Sequence, residues 1–132
     1  MSVRESKTNS INRSGTAVVD NSDITQGNYT ISADANLHWV QHDNIFVVSG
    51  SLAVTTMAST GNSNILLAFS GMDFLDGYTV VGVKGDASSN ESTGSDGFVD
   101  HDAGPTNMRV WFNSPQGGSS RAVWWVCTIQ VS

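Results

Sequence analysis

A chain of 132 residues with a net charge of −6 and a single cysteine, Cys127, has room for one domain and cannot form an internal disulfide. A cysteine-based zinc site is excluded with it, and no apolar run approaches the roughly 18 residues of a membrane helix, so no membrane partner is expected. The charge is split: residues 1–13 carry Arg4, Lys7 and Arg13 against Glu5, a net of +2, while the remainder carries three bases against eleven acids, a net of −8. So acidic a body lacks the basic footprint that a nucleic-acid partner needs.

Residues 1–14 show no apolar periodicity and read as an extended arm, with Arg4, Lys7 and Arg13 as its anchoring charges. The start, MSVRESKTNSINRSG, has no apolar core and is not read as a secretory signal. TAVV (16–19) and NYTI (28–31) read as short edge strands within an arm region over 1–36, ahead of a domain over 37–132. From Leu37 onward, short alternating runs between turn clusters predict strands at 37–41, 45–56, 64–69, 78–84, 98–102, 108–113 and 121–131. The link 85–97, whose only apolar residue is Ala87, is expected to be a mobile loop. The expected class is all-β: a single antiparallel β-sandwich, jelly-roll-like, of about seven to nine strands.

Within the first of these runs, His38 and His42 stand four apart beside Asp43, a metal-like spacing if the segment were a helix. Trp39 and Val40 favour a strand instead, and Asp43-Asn44 is a turn pair before the apolar run from Ile45. On a strand, residues four apart lie roughly 13 Å from each other, too far to share one ion.

The following strand predicts a core face of Phe46, Val48, Gly50, Leu52 and Val54. Its other face, with Ile45, Val47 and Ala53, is half apolar and small. Gly50 signals a bulge or a close backbone approach. The last strand repeats the theme: Val123, Trp125, Cys127, Ile129 and Val131 share one face, and Trp124 and Val126 lie on the other. A strand with two apolar faces asks for cover on both sides. Ile45, Val47, Trp124 and Val126 are therefore expected at a contact between copies of the chain, in a cyclic homo-oligomer.

Other chemistry is sparse. Asp100 and Asp102 alternate on one strand face and could grip a calcium ion, although the spacing of a calcium loop is absent and a solvated acidic segment is the alternative. No serine lies in a G-x-S-x-G elbow, and a base drawn from His38 or His101 has no defined nucleophile, so no catalytic residue is assigned and no enzyme is expected. No cofactor motif is present. Cys127 alternates with apolar neighbours and reads as a small buried hydrophobe. Trp111 shares a face with Arg109 and suits either a subunit contact or stacking on a host glycan.

The pattern Trp39-x4-Asn44-x-Phe46-x-Val48-Ser49-Gly50-x-Leu52-x-Val54-Thr55-Thr56 resembles a recurrent phrase in small β-sandwich virion proteins of tailed bacteriophages. These are head decoration (cement) proteins, head fibres and tail-fibre tips. Two departures stand out: Asp43 occupies a position where Gly is usual, and the Pro after the third strand is missing at Phe69-Ser70-Gly71. The resemblance covers about 37–132 and implies a non-enzymatic structural protein of the virion surface, made in the host cytoplasm and commonly a homotrimer. It implies either a cement or short-fibre protein, docked by its arm to the major capsid protein, or a receptor- or glycan-binding tip module of a tail fibre.

Overall fold

The structure is a computed structural model that describes residues 11–25, 29–31, 33–57, 61–89, 96–101, 106–114 and 121–132. Its strands are β1 (Asn12–Val19), β2 (Ile24–Thr25), β3 (Tyr29–Ile31), β4 (Ala35–His42), β5 (Ile45–Met57), β6 (Gly61–Ala68), β7 (Val80–Ser89), β8 (Asp96–His101), β9 (Asn107–Ser114) and β10 (Arg121–Val131). Short 3-10 turns lie at Asn21–Asp23, Phe69–Gly71 and Asp73–Leu75. The all-β expectation holds. The sandwich does not: all ten strands belong to one sheet, in the order β1-β4-β5-β10-β7-β8-β9-β6-β2, with β3 added on β5.

The reason lies in the alternation. Each long strand turns one set of side chains to the same side, and these form one cluster: Leu37, Phe46, Val48, Val54, Val123, Trp125, Ile129, Val99, Val110, Phe112, Ile65 and Leu67, all buried. A flat sheet would leave that side wet. Strand twist accumulated over so many strands lets the sheet curl into a half-barrel and cover its own face. The 3-10 segment after β6 completes the cover with Met72, Phe74 and Leu75. Phe74 stacks on Trp39, with centroids 5.2 Å apart. In the sequence this stretch falls between the strands predicted at 64–69 and 78–84, because its apolar residues have neither strand nor helix spacing.

Two further expectations change. Residues 12–14, read as arm, begin β1, which pairs with β4 along its whole length from Asn12↔His42 to Val19↔Ala35. The predicted mobile link is partly strand, since β7 runs on to Ser89 and β8 begins at Asp96. Gly85 and Ala87 continue the inner face there opposite Cys127 and Trp125, and side chains that small let the hairpin pack closely. Residues 1–10, with Arg4 and Lys7, lie outside the described residues, as do 26–28, 32, 58–60, 90–95, 102–105 and 115–120.

The β4–β5 hairpin matches expectation in detail. Asp43 and Asn44 form its two-residue turn, and Asp43 has φ 53, in the left-handed region. Its Oδ1 accepts the Ile11 N–H at 2.9 Å, and its own N–H donates to the Ile11 carbonyl at 2.8 Å. This tie holds the chain just before β1 against the hairpin.

Candidate functional site

The outer face of the sheet carries the candidate site. β10 lies between β5 and β7, so outward residues of the three strands form continuous rows. One row runs His38, Ser49, Val126, Asp86, Phe98, Trp111. The next runs Val40, Val47, Thr128, Lys84, Asp100, Arg109. The four residues expected at a subunit contact lie on this face of β5 and β10, Ile45 38% exposed, Val47 41%, Trp124 44% and Val126 56%, in a diagonal line whose members stand directly opposite Gln130, Thr128, Ser51 and Ser49. Val40, adjacent to Val47 across β4, extends the apolar strip. Contiguous exposed apolar surface of this kind marks an interaction site more often than scattered single residues do.

Farther along the same face, Arg109 meets Asp100 in a two-pronged ion pair. Nε donates to Oδ1 at 2.9 Å and Nη2 to Oδ2 at 2.8 Å. The guanidinium also lies 4.7 Å from the centroid of the Trp111 ring. Phe98 stacks beside the same ring at 5.6 Å, with 29° between the planes. Trp111 is thus half-buried, and its Nε1 has no hydrogen-bond partner among the described residues. The ring most open to solvent here is Phe98, 49% exposed, which the sequence reading passed over. Its alternation with Val99 was the available signal: if Val99 points inward, Phe98 must share the outer face of Asp100.

Between β7, β8 and β10 the outer face dips into a hollow of about 460 Å³, lined by Asp86, Ala87, Ser88, Gly97, Trp124, Trp125 and Val126. Among the described residues Asp86 has no ion-pair partner.

The remaining candidates are placed as follows. The Nε of Arg13, a proposed anchor, donates to Oε1 of buried Gln41 at 2.9 Å, and its guanidinium sits 5.8 Å from the Trp39 ring centroid. Gln41 is held further by donating to the Asp43 carbonyl and to the Tyr78 hydroxyl, both at 2.8 Å. Asp100 is engaged by Arg109, while Asp102 lies outside the described residues. His42 Nδ1 is 2.8 Å from Asn12 Oδ1, and His38 and His42 stand on a strand, as expected. No group of three metal-ligating side chains occurs among the described residues. His101 packs edge-on against Phe69 at 5.6 Å, and its Nε2 has no hydrogen-bond partner among the described residues. Cys127 is buried, and burial pushes its thiol pKa up to about 12.

No protein-family model and no curated protein matches the chain. Among solved structures, that of avian reovirus sigmaC117-326 in a C2 crystal form is similar in fold, with a TM-score of 0.57 and 10% sequence identity. The match covers 92% of this chain, but the chain spans only 62% of the reovirus one. At this identity the likeness is one of fold alone.

Proposed function

We propose that the chain is a non-enzymatic attachment module of a virion fibre, a β domain that associates with copies of itself and presents its outer sheet face to a host surface. The observation that carries this reading is the apolar strip of Ile45, Val47, Trp124 and Val126, gathered on two adjacent central strands and left half exposed. Central strands with an apolar outer face gain stability when a second layer covers them. A trimer is the assembly that the resemblance to phage fibres and decoration proteins suggests, and three copies would join weak individual contacts into firm attachment. The fold likeness to a viral protein supports placing the fibre reading ahead of the capsid-cement one.

The test is sedimentation combined with host-cell binding. The wild-type chain is expected to sediment as an oligomer at micromolar concentration, and Val47→Asp to sediment as a monomer with reduced binding to host cells. A stable wild-type monomer, or cell binding by neither protein, overturns the reading.

The charge split of the chain favours a second reading, a cement or short-fibre protein anchored to the major capsid protein by Arg4 and Lys7, Arg13 being held on β1 by Gln41. Because β1 begins at Asn12, the deletion that tests it removes 1–10 and no more. Loss of capsid binding with unchanged thermal stability supports this reading, and full retention removes it.

A further inference from the structure

We propose that the free edge of β1 is an interface between copies of this chain, at which two β1 strands pair antiparallel about a two-fold axis at Gly15. The contact lies at one end of the sheet, apart from the face contact on β5 and β10, and does not rest on it.

The sheet order ends in β1 on one side and β2 on the other. β2 is two residues long, and so short an edge offers little to pair with. β1 is eight residues long, and its register with β4 runs without a shift from Asn12↔His42 to Val19↔Ala35. The Asp43 N–H donates to the Ile11 carbonyl, so by the alternation of an antiparallel ladder Arg13, Gly15, Ala17 and Val19 turn their backbone groups to β4. Asn12, Ser14, Thr16 and Val18 turn theirs away from it, and all four residues are exposed. Proteins blunt a long edge with lysine, proline, a bulge or a charge set upon it. β1 has no lysine, proline or bulge, and its one charged side chain, Arg13, is bonded to Gln41 on the inner face. The 3-10 segment does not seal the edge either: a hollow of about 280 Å³ separates Thr16 and Val18 from Gly71 and Asp73. An edge left this way is a template for an added strand.

The strand that fits is a second β1, because this edge complements itself. Centred on Gly15, two copies set Asn12 opposite Val18 and Ser14 opposite Thr16, so the outward N–H and C=O groups of these residues all find partners. Gly15 then faces Gly15 of the second copy at the closer kind of antiparallel approach, about 4.5 Å between Cα atoms. Trp39 lies on Gly15, with Cζ2 2.9 Å from where a Cβ would stand, so the two indoles come together beside the axis. Arg13 of each copy stands opposite Ala17 of the other, which lines the hollow together with Asp73. Symmetry therefore brings guanidinium and carboxylate together twice. One strand edge buries less than the roughly 1,600 Å² of a standard interface. The pairing is accordingly weak, with a dissociation constant on the order of 0.1–1 mM, and is reinforced wherever another contact crowds copies together.

The experiment mixes full chains carrying Ser14→Cys and Thr16→Cys at about 0.5 mM under a glutathione redox buffer. In this pairing positions 14 and 16 face each other with Cα atoms about 5.5 Å apart, within disulfide reach, whereas two copies of position 14 stand beyond the limit of about 7 Å. Cys127 is buried and does not compete. Mass spectrometry is expected to find the 14-to-16 disulfide about fivefold or more above either like-to-like one. Sedimentation supplies the second arm. The Val47→Asp chain, which lacks the face contact, is expected to move towards dimer at about 0.5 mM. Adding Thr16→Pro removes an outward N–H while sparing the ladder to β4, and should restore the monomer. The edge contact is overturned if the 14-to-16 disulfide does not exceed the like-to-like ones, if Val47→Asp stays monomeric at that concentration, or if its dimer survives Thr16→Pro. The two contacts fail separately. A wild-type chain that is monomeric at micromolar concentration yet forms the 14-to-16 disulfide removes the attachment reading alone. Micromolar oligomers without that disulfide remove the edge contact alone.

Discussion

Gly50 and Trp125 face each other across β5 and β10, and the indole fills the space that a Cβ on residue 50 would need. Leu37 closes the same space from β4, with Cδ2 2.8 Å from where that Cβ would stand. The bare backbone therefore lets the largest fully buried side chain lie flat on the sheet. Gly50→Ala is expected to cost about 1–3 kcal/mol as an overpacked core, read as a lower urea midpoint with an unchanged slope. Combined with Trp125→Leu, its further cost should shrink, because the tighter clash is gone and only that with Leu37 is left.

Asp43 combines a left-handed backbone with a structural hydrogen bond to Ile11. Asp43→Ala keeps the unfavourable φ and loses the acceptor, and should destabilise by about 1–2 kcal/mol. Asp43→Gly loses the same acceptor but relieves the backbone, so it should cost clearly less in the same thermal melt. Equal losses for the two variants would mean that φ carries no weight at this turn.

The ion pair of Arg109 and Asp100 is partly solvated, with side chains 26% and 33% exposed, so its contribution is discounted accordingly. Arg109→Lys keeps the charge but gives up the fork and much of the contact with the Trp111 ring. The expected loss is about 0.5–1 kcal/mol by denaturant unfolding. A double-mutant cycle with Asp100→Asn should show the two changes to be non-additive.

Burial holds the Cys127 thiol neutral, with its pKa raised from 9.0 to about 12. The folded protein should resist an alkylating reagent at pH 8 and react once urea unfolds it, as mass spectrometry will read. The sign for stability follows from the raised value. The contribution is whole below pH 9.0 and declines as pH rises towards 12, because the unfolded thiol ionises first. Cys127→Ser should flatten that decline while lowering stability at neutral pH.

Period-two alternation was enough to identify an all-β chain, to place the β4–β5 hairpin and to sort β5 and β10 into a core face and an outer face. Those features are local: backbone geometry sends neighbouring residues to opposite sides wherever a strand lies. It also picked out Gly50 as a close approach, Cys127 as buried, and Ile45, Val47, Trp124 and Val126 as apolar residues left on the outside. Alternation says nothing about which strand lies beside which. Only the tertiary structure decided that one curled sheet, instead of two stacked ones, buries the core, because both arrangements demand the same inward and outward residues. Register between neighbouring β8 and β9 set Phe98 beside Trp111 and gave Asp100 to Arg109, and the pairing of distant β7 and β10 opened the hollow at Asp86 and Trp124. Met72, Phe74 and Leu75 escaped the sequence reading for a related reason: their burial depends on the rim of a sheet formed by residues far away in the chain.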